Sequence, residues 1–374
     1  MASYWLAEEA EPLLSVTLVG SPEVEVVGGG VTGCACALTL ARAGVRVRLH
    51  EAREIAAGAS GRNGGFALRG GAMPYDHARR QLGFTRAAKY WQLTERALER
   101  LASLAGDAFR RTGSLRLAAD VAEREELLSE YEALREDGFT GAWLEQLEPP
   151  LAGKFFGALE HPDDGALQPA RWVRRLARLA AEAGAEIRER SKVDSIGELE
   201  APQVVLATDG YTHGLAAELD VRIRPTRGQV LVTEPLDDLL FDRPHYSRYG
   251  HDYWQQTPDR RLLIGGRRDA SLEQEFTAEE TTTPLIQDRL ESFARELVGD
   301  LPPVSHRWAG IWGTTSDQLP LAGRLPGREN VWAACGYSGH GNVLGFACGE
   351  LVGQAILGRE PPELELFDPA RRTG

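Results

Sequence analysis

The stretch Glu23-Val24-Glu25-Val26-Val27-Gly28-Gly29-Gly30-Val31-Thr32-Gly33 alternates polar and apolar residues and then runs into glycine. The alternation predicts a buried strand over Glu23 to Val27. Thr32 to Ala43 is small and apolar and ends at Gly44, a helix stop signal. Val45 to His50 alternates again and predicts a second strand. Strand, helix and strand within about thirty residues make one βαβ unit. In this context Gly28-Gly29-Gly30-Val31-Thr32-Gly33 is a dinucleotide fingerprint. Gly28 permits the tight turn, Gly30 lets a pyrophosphate approach the backbone, and Gly33 lets the helix pack on the strand. The helix N-terminus presents N–H groups and partial positive charge to phosphates. Glu51 follows the second strand, near the ~20-residue spacing of a ribose-binding acid. A carboxylate there accepts ribose hydroxyls and repels a 2′-phosphate, which disfavours NADP.

Outward from this unit the chain continues as α/β. A second glycine loop, Gly58-Ala59-Ser60-Gly61-Arg62-Asn63-Gly64-Gly65, suggests a larger ligand passing close to the backbone. Helices are predicted over Ala78 to Leu104, around Leu127, Leu128, Tyr131 and Leu134, over Arg171 to Gly184 and over Pro284 to Val298. Arg171, Arg174, Arg175 and Arg178 are taken as a solvated helix face. Ala185 to Ile187, Lys192 to Ile196 and Val204 to Ala207 are predicted as short strands. Arg222 to Ile264 is β-rich, with a hairpin turn at Pro258-Asp259. The strand Val331 to Cys335 leads through Gly336-Tyr337-Ser338-Gly339-His340-Gly341 into a helix from Asn342 to Leu357. The expected fold is α/β (α+β overall), a Rossmann-like nucleotide-binding domain with an inserted antiparallel-sheet substrate domain. The expected division is an arm over 1–22, a discontinuous nucleotide-binding domain over 23–75, 155–220 and 308–374, and a substrate domain over 76–154 and 221–307.

Composition narrows the partners. The chain has 374 residues, 43% of them hydrophobic, and a formal charge of −13. That charge repels phosphate backbones, so nucleic acid is not expected as a partner. Only Lys89, Lys154 and Lys192 are lysines, and every other basic residue is arginine. Cys34, Cys36, Cys335 and Cys348 show no C-x-x-C or metal-ligand spacing, so four reduced thiols and no metal are expected. Met1 to Ala10 lacks a basic region, so no signal peptide is expected. With no apolar run of ~18 residues, no membrane span is expected either, and a cytoplasmic location follows.

The ordered set of motifs carries a resemblance. The fingerprint, Glu51, Gly58 to Gly65, Val204 to Gly210, Arg224-Pro225-Thr226-Arg227-Gly228-Gln229 and Gly336 to Gly341 together resemble the D-amino-acid oxidase/glycine oxidase/sarcosine oxidase family of FAD-dependent amine oxidoreductases. The resemblance spans nearly the whole chain. Gly58 to Gly65, Tyr253-Trp254-Gln255 and Gly336 to Gly341 most resemble the branch that contains gamma-glutamylputrescine oxidoreductase. It implies that Gly28, Gly30, Val31, Thr32 and Gly33 hold the ADP pyrophosphate, with Glu51 and Arg53 on the ribose and adenine side. Ser60, Arg62, Asn63, Gly64 and Gly65 should pass the ribityl chain and flavin ring, and Val193 and Ala207 should line the adenine end. Gly339, His340, Gly341, Asn342 and Val343 should meet the flavin from the last helix.

The implied reaction is hydride transfer from the carbon bearing a small-molecule amine to the flavin. The imine then hydrolyses, and oxygen or an electron carrier takes the electrons. Sarcosine oxidases of this type anchor FAD through a cysteine at a position that falls near Gly310 here. No cysteine lies between 300 and 334, so the resemblance implies noncovalent FAD. Glycine oxidase binds the substrate carboxylate with arginines at positions that match Trp312 and Gly339 here. Sarcosine oxidase has a lysine where this chain has Val343. The usual carboxylate clamp is missing, which favours an amine whose carboxylate is distant or absent. Trp312, Tyr253 and Trp254 are candidates for an aromatic wall, or for sheet core. His340 is a candidate flavin or substrate contact; His306 and Arg307 are taken as surface residues. Arg267, Arg268 and Arg69 are candidate anion anchors, and strand alternation should turn only one of Arg267 and Arg268 inward. Rival expectations are a flavin dehydrogenase feeding a quinone or protein carrier, a tRNA-modifying flavoprotein of the same fold, and a non-catalytic flavin-binding protein.

Overall fold

The structure, a computed structural model, describes residues 3–371. The βαβ unit forms as strand Val24–Val27, helix Val31–Arg42 and strand Val47–His50. These strands sit inside a six-stranded sheet ordered Leu321–Arg324, Val331–Cys335, Gln203–Leu206, Val24–Val27, Val47–His50, Glu186–Arg188. Every neighbouring pair is parallel except the first. A parallel sheet needs helices to cover its faces. The helices Val31–Arg42, Pro169–Glu182 and Gly341–Ile356 supply much of that cover. On Pro169–Glu182 the residues Trp172, Val173, Leu176 and Ala180 are fully buried.

The arginine face of that helix is not simply solvated. Arg171 Nε pairs with Glu8 at 2.7 Å, Arg174 donates to the Glu8 carbonyl at 2.8 Å, and Arg178 pairs with Glu11. These contacts tie the N-terminal arm down. The arm in turn braces the second glycine loop: Ser3 Oγ donates to the Gly61 carbonyl at 2.6 Å and Trp5 Nε1 to the Asn63 carbonyl at 2.8 Å.

A second sheet of eight strands is mostly antiparallel. Its longest strands, Arg224–Pro235 and Val304–Thr314, pair along nearly their whole length. Asp252–Gln256 and Arg261–Gly266 form the hairpin expected around Pro258-Asp259. A parallel sheet joined to a large antiparallel one is the α/β architecture that the sequence predicts. Helix Pro284–Val298 also forms with the predicted bounds.

Two local expectations are corrected. The helix expected over Ala78 to Leu104 is two helices, Tyr75–Leu82 and Phe84–Ala105. Gly83 between them has φ +80°, a left-handed step that no helix continues through. Lys192 to Ile196 is not a strand but an irregular segment ending in the short turn Ile196–Glu198.

Trp254 is a core residue. It is fully buried, stacked on His245 at 5.3 Å with 10° between the rings, and it meets Phe293 edge-on at 5.3 Å.

Two outcomes follow from this packing. A methyl added at Gly349 would lie 2.3 Å from the Thr32 carbonyl oxygen, so Gly349→Ala must push the two helices apart. We expect a loss of about 1–3 kcal/mol, seen as a lower thermal midpoint. Burial also pushes the His245 imidazole down to about 4 from its ordinary 6.5. As pH falls through that window the unfolded chain binds a proton that the folded chain refuses. Stability present above the upper limit should therefore fall by about 3 kcal/mol toward the lower one. Thermal melts from neutral pH to about pH 4 should decline less steeply in His245→Gln than in the wild type.

Candidate functional site

A cavity of about 840 Å³ runs from the glycine fingerprint to the antiparallel sheet. At the fingerprint end the backbone packs too closely for side chains at the glycines. Gly28 has φ +113°, and a Cβ there would lie 2.5 Å from the Ala207 carbonyl oxygen. A Cβ on Gly30 would meet Ser60 Oγ at 2.9 Å. That hydroxyl accepts the Val31 N–H at 3.0 Å, which brings the second glycine loop onto the helix N-terminus. The helix has no side-chain cap at Gly30 and no acidic residue in its first turn, so its positive end stays electrostatically open. Glu51 is held by two backbone donors, the Gly29 N–H at 2.7 Å and the Arg53 N–H at 2.8 Å. A carboxylate fixed in this way keeps lone pairs for ribose hydroxyls.

The middle of the cavity is braced by side chains far apart in sequence. Asn63 and Asn342 exchange amide hydrogen bonds of 3.1 and 3.0 Å, which ties the glycine loop to the first turn of helix Gly341–Ile356. Asn342 Nδ2 also donates to the Phe66 carbonyl at 2.8 Å. Arg62 donates to the Ala57 and Ala309 carbonyls at 2.7 and 3.2 Å and lies 3.4 Å from Glu280. Arg53 donates to both oxygens of Glu280, at 2.9 and 2.8 Å, and its guanidinium lies over the Tyr211 ring. Against the opposing effect of burial, hydrogen bonds from Arg53 and Tyr211 and the nearby Arg62 charge hold the Glu280 carboxylate below the usual carboxylate range.

The far end is walled by aromatic rings: Phe66, Tyr246, Tyr249, Tyr253 and Trp312 line it with His340 and Arg268. Two glycines make this wall possible. A Cβ at Gly228 would fall 2.3 Å from the Trp312 ring, and one at Gly265 would fall 2.2 Å from the Tyr253 ring. His340 Nδ1 is buried with no partner among the described residues, and burial pushes the imidazole down to about 4. The ring is therefore neutral at neutral pH. Burial raises the Tyr253 and Tyr246 phenols, so both stay protonated there.

The structure gathers most of the residues named from the sequence. Gly28, Gly30, Val31, Thr32, Glu51, Arg53, Ser60, Arg62, Asn63, Gly64, Val193, Ala207, Gly339, His340, Gly341, Asn342, Val343, Tyr253 and Trp312 all line the one cavity. Gly33 and Gly65 stand behind its wall. A Cβ on Gly33 would lie 1.9 Å from the Gly28 carbonyl oxygen, and one on Gly65 would lie 2.4 Å from the Leu167 carbonyl oxygen. Their part is close packing rather than ligand contact.

Arg267 also lies off the cavity. Its Nε sits 2.8 Å from Asp252 and its guanidinium covers the Phe293 ring at 4.4 Å, while Arg268 turns inward. Trp254 is core, as described. Arg69 is buried against Asp164 at 3.1 Å and Asp163 at 3.1 Å, which leaves it no anchor role. His306 packs on Tyr4, and Arg307 pairs with Glu291, both away from the cavity.

Glu280, Tyr211, Tyr246 and Tyr249 were not found by sequence reasoning. They lie outside the glycine motifs, and only long-range packing brings them in. Among the described residues no metal-ligating cluster occurs, no helix is long and apolar enough to cross a membrane, and the four cysteines are free, buried and outside the cavity lining.

Comparison with known proteins gives the same picture. The model of the family described as FAD dependent oxidoreductase (DAO) matches residues 23–355. The chain is 27% identical over 387 residues to the "Probable oxidoreductase OrdL" of Haemophilus influenzae, covering 94% of this chain and 86% of that protein. It is 29% identical over 378 residues to gamma-glutamylputrescine oxidoreductase of Escherichia coli, covering 92% and 85%. The crystal structure of glycine oxidase from Geobacillus kaustophilus superposes with a TM-score of 0.78 at 25% identity, covering 95% of this chain and 100% of that one.

The geometry at Glu51 yields a direct test. Glu51→Gln removes the charge and leaves one of the two backbone donors facing an amide N–H. We expect FAD affinity to fall by about 10–100-fold, as for loss of a hydrogen bond to a charged group. Titration of FAD into the apoprotein, followed by flavin fluorescence, checks it.

Proposed function

Because the chain belongs to the FAD-dependent oxidoreductase (DAO) family, we propose that it oxidises a primary or secondary amine to an imine, with FAD held noncovalently. The observation that carries this reading is the single cavity with a dinucleotide-shaped end and an aromatic end, into which the first turn of helix Gly341–Ile356 faces. FAD, when bound, supplies a two-electron acceptor for hydride and leaves the protein to bind and orient. The residues present suit that cofactor: an open helix N-terminus for the diphosphate and Glu51 for ribose hydroxyls. Free, buried cysteines that do not line the cavity are consistent with a noncovalent cofactor. The relative that acts on gamma-glutamylputrescine and those named glycine oxidase support an amine or amino acid as substrate.

In the proposed reaction the substrate carbon loses a hydride and its nitrogen loses a proton, which leaves a C=N bond. Water adds to that bond and the C–N bond breaks, releasing a carbonyl compound and an amine or ammonia. Oxygen accepts two electrons and two protons to give peroxide. Phe66, Tyr246, Tyr253 and Trp312 exclude water and offer ring faces to a cationic amine as it enters. His340, neutral at neutral pH, lines the same end of the cavity without placing a charge beside the amine.

The test is the visible spectrum of the holoprotein, recorded without oxygen while amines are added: gamma-glutamylated polyamines, sarcosine, glycine and D-amino acids. We expect one class to bleach the oxidised flavin band, and admitting air to restore it with stoichiometric peroxide. Bleaching that air does not reverse, but a quinone does, would replace the oxidase by a dehydrogenase. A flavin that no amine bleaches would overturn the amine reading.

A further inference from the structure

We propose that Arg268 is the anchor for a carboxylate on the substrate, so that the amine oxidised is one that also carries a carboxylate. This deepens the amine-oxidoreductase reading above and rests on it.

The arginines around this end of the cavity are otherwise committed. Arg248 lies 3.2 Å from Asp252 and pairs with Asp269, and Arg267 lies 2.8 Å from Asp252. Arg227 pairs with Glu275 at 2.8 Å. Arg268 alone in this group has no ion pair and no hydrogen bond among the described residues; its close neighbour is the face of Trp312, 5.9 Å from the guanidinium carbon. The two carboxylates near enough to act on it, Asp269 and Glu275, are the ones already taken by Arg248 and by Arg227 with Gln229. Burial in the cavity wall lowers the arginine's pKa, the signature of a cation short of both water and a counterion.

The backbone places this side chain by a costly route. Strand Arg261–Gly266 ends at Gly266 with φ +117°, where a Cβ would lie 2.1 Å from the His251 carbonyl oxygen. Arg267 then takes φ +57°, a left-handed conformation that non-glycine residues rarely adopt. Its N–H donates to that same His251 carbonyl at 2.6 Å. This step sends Arg267 out to Asp252 and Phe293 and turns Arg268 into the cavity beside Tyr253 and Trp312. A guanidinium presents its N–H fork in one plane, which suits a planar carboxylate taken bidentately. One guanidinium balances one carboxylate; a phosphate dianion would stay half compensated. The positions where the resemblance places a carboxylate clamp hold Trp312 and Gly339 here, so Arg268 supplies, from the turn after strand Arg261–Gly266, the charge that they lack.

The test compares wild type, Arg268→Met and Arg268→Lys as FAD-loaded proteins. Each is mixed without oxygen with acid and amide pairs: sarcosine and sarcosinamide, glycine and glycinamide, 4-aminobutanoate and 4-aminobutanamide. In the wild type the acid of the reactive pair should reduce the flavin with about 10–100-fold better affinity than its amide. Arg268→Met should erase that preference through affinity rather than limiting rate, and Arg268→Lys should restore part of it. FAD content should be unchanged in both variants. A wild type that prefers the amide, a preference that survives in Arg268→Met, or loss of FAD from both variants overturns the proposal. Acetate and benzoate titrated against the flavin spectrum give a readout that needs no turnover. If no amine reduces the wild type, the amine reading fails by itself. A spectral shift with these carboxylates in the wild type that is absent in Arg268→Met would still assign the anion site to Arg268, and no difference would remove it.

Discussion

The structure depends on how closely two helices approach each other along their length. Helix Val31–Arg42 and helix Gly341–Ile356 meet through Gly345, Gly349 and Gly353. Side chains at these positions would run into Thr32 Oγ1 at 2.9 Å, the Thr32 carbonyl oxygen at 2.3 Å and Thr39 Cβ at 3.0 Å. Thr32 Oγ1 also donates to the Tyr337 hydroxyl at 3.0 Å, so the contact carries a buried hydrogen bond as well as backbone packing. This approach brings the N-termini of both helices to one cavity: the first where a diphosphate is expected, the second beside His340 and the aromatic wall. Without it the two glycine motifs, some three hundred residues apart, would not belong to one site.

Around that contact the cavity is built by subtraction. Gly228 makes a bed for the Trp312 ring and Gly265 one for the Tyr253 ring. Asn63 and Asn342 then close the seam between the second glycine loop and the last helix. The Asp209 carboxylate, at the end of the central strand, accepts the Gly313 N–H at 2.9 Å and the Gly336 N–H at 2.8 Å, joining the two sheets just behind Trp312. The aromatic end thus stands on backbone-to-side-chain contacts with little freedom, which suits a site that must orient a small molecule.

Charge is distributed to match. The nucleotide end holds cations that are already partnered, Arg53 and Arg62 on Glu280. The aromatic end holds one cation, Arg268, that has no ion pair or hydrogen bond among the described residues. Partnered arginines brace loops, while an unpartnered one in a partly desolvated wall stays available to a ligand.

By itself the sequence determined the βαβ unit, the glycine fingerprint, the position of Glu51 and the α/β class. These follow from short-range periodicity and from turn chemistry, which neighbouring residues settle among themselves. It led to the expectation that strand alternation turns only one of Arg267 and Arg268 inward, but the strand ends at Gly266, and the left-handed step at Arg267, which depends on the His251 carbonyl across the hairpin, decides their directions instead. Trp254 and Trp312 read alike as strand aromatics; only the sheet's two faces put one in the core and the other in the cavity. Gly33 and Gly65 match a ligand motif yet serve packing, since what a glycine makes room for is visible only when the opposing backbone is in place. Glu280, Tyr211, Tyr246 and Tyr249 reach the site through contacts between distant segments. Such contacts leave no periodic trace in the chain, because their geometry is decided by how the two sheets meet.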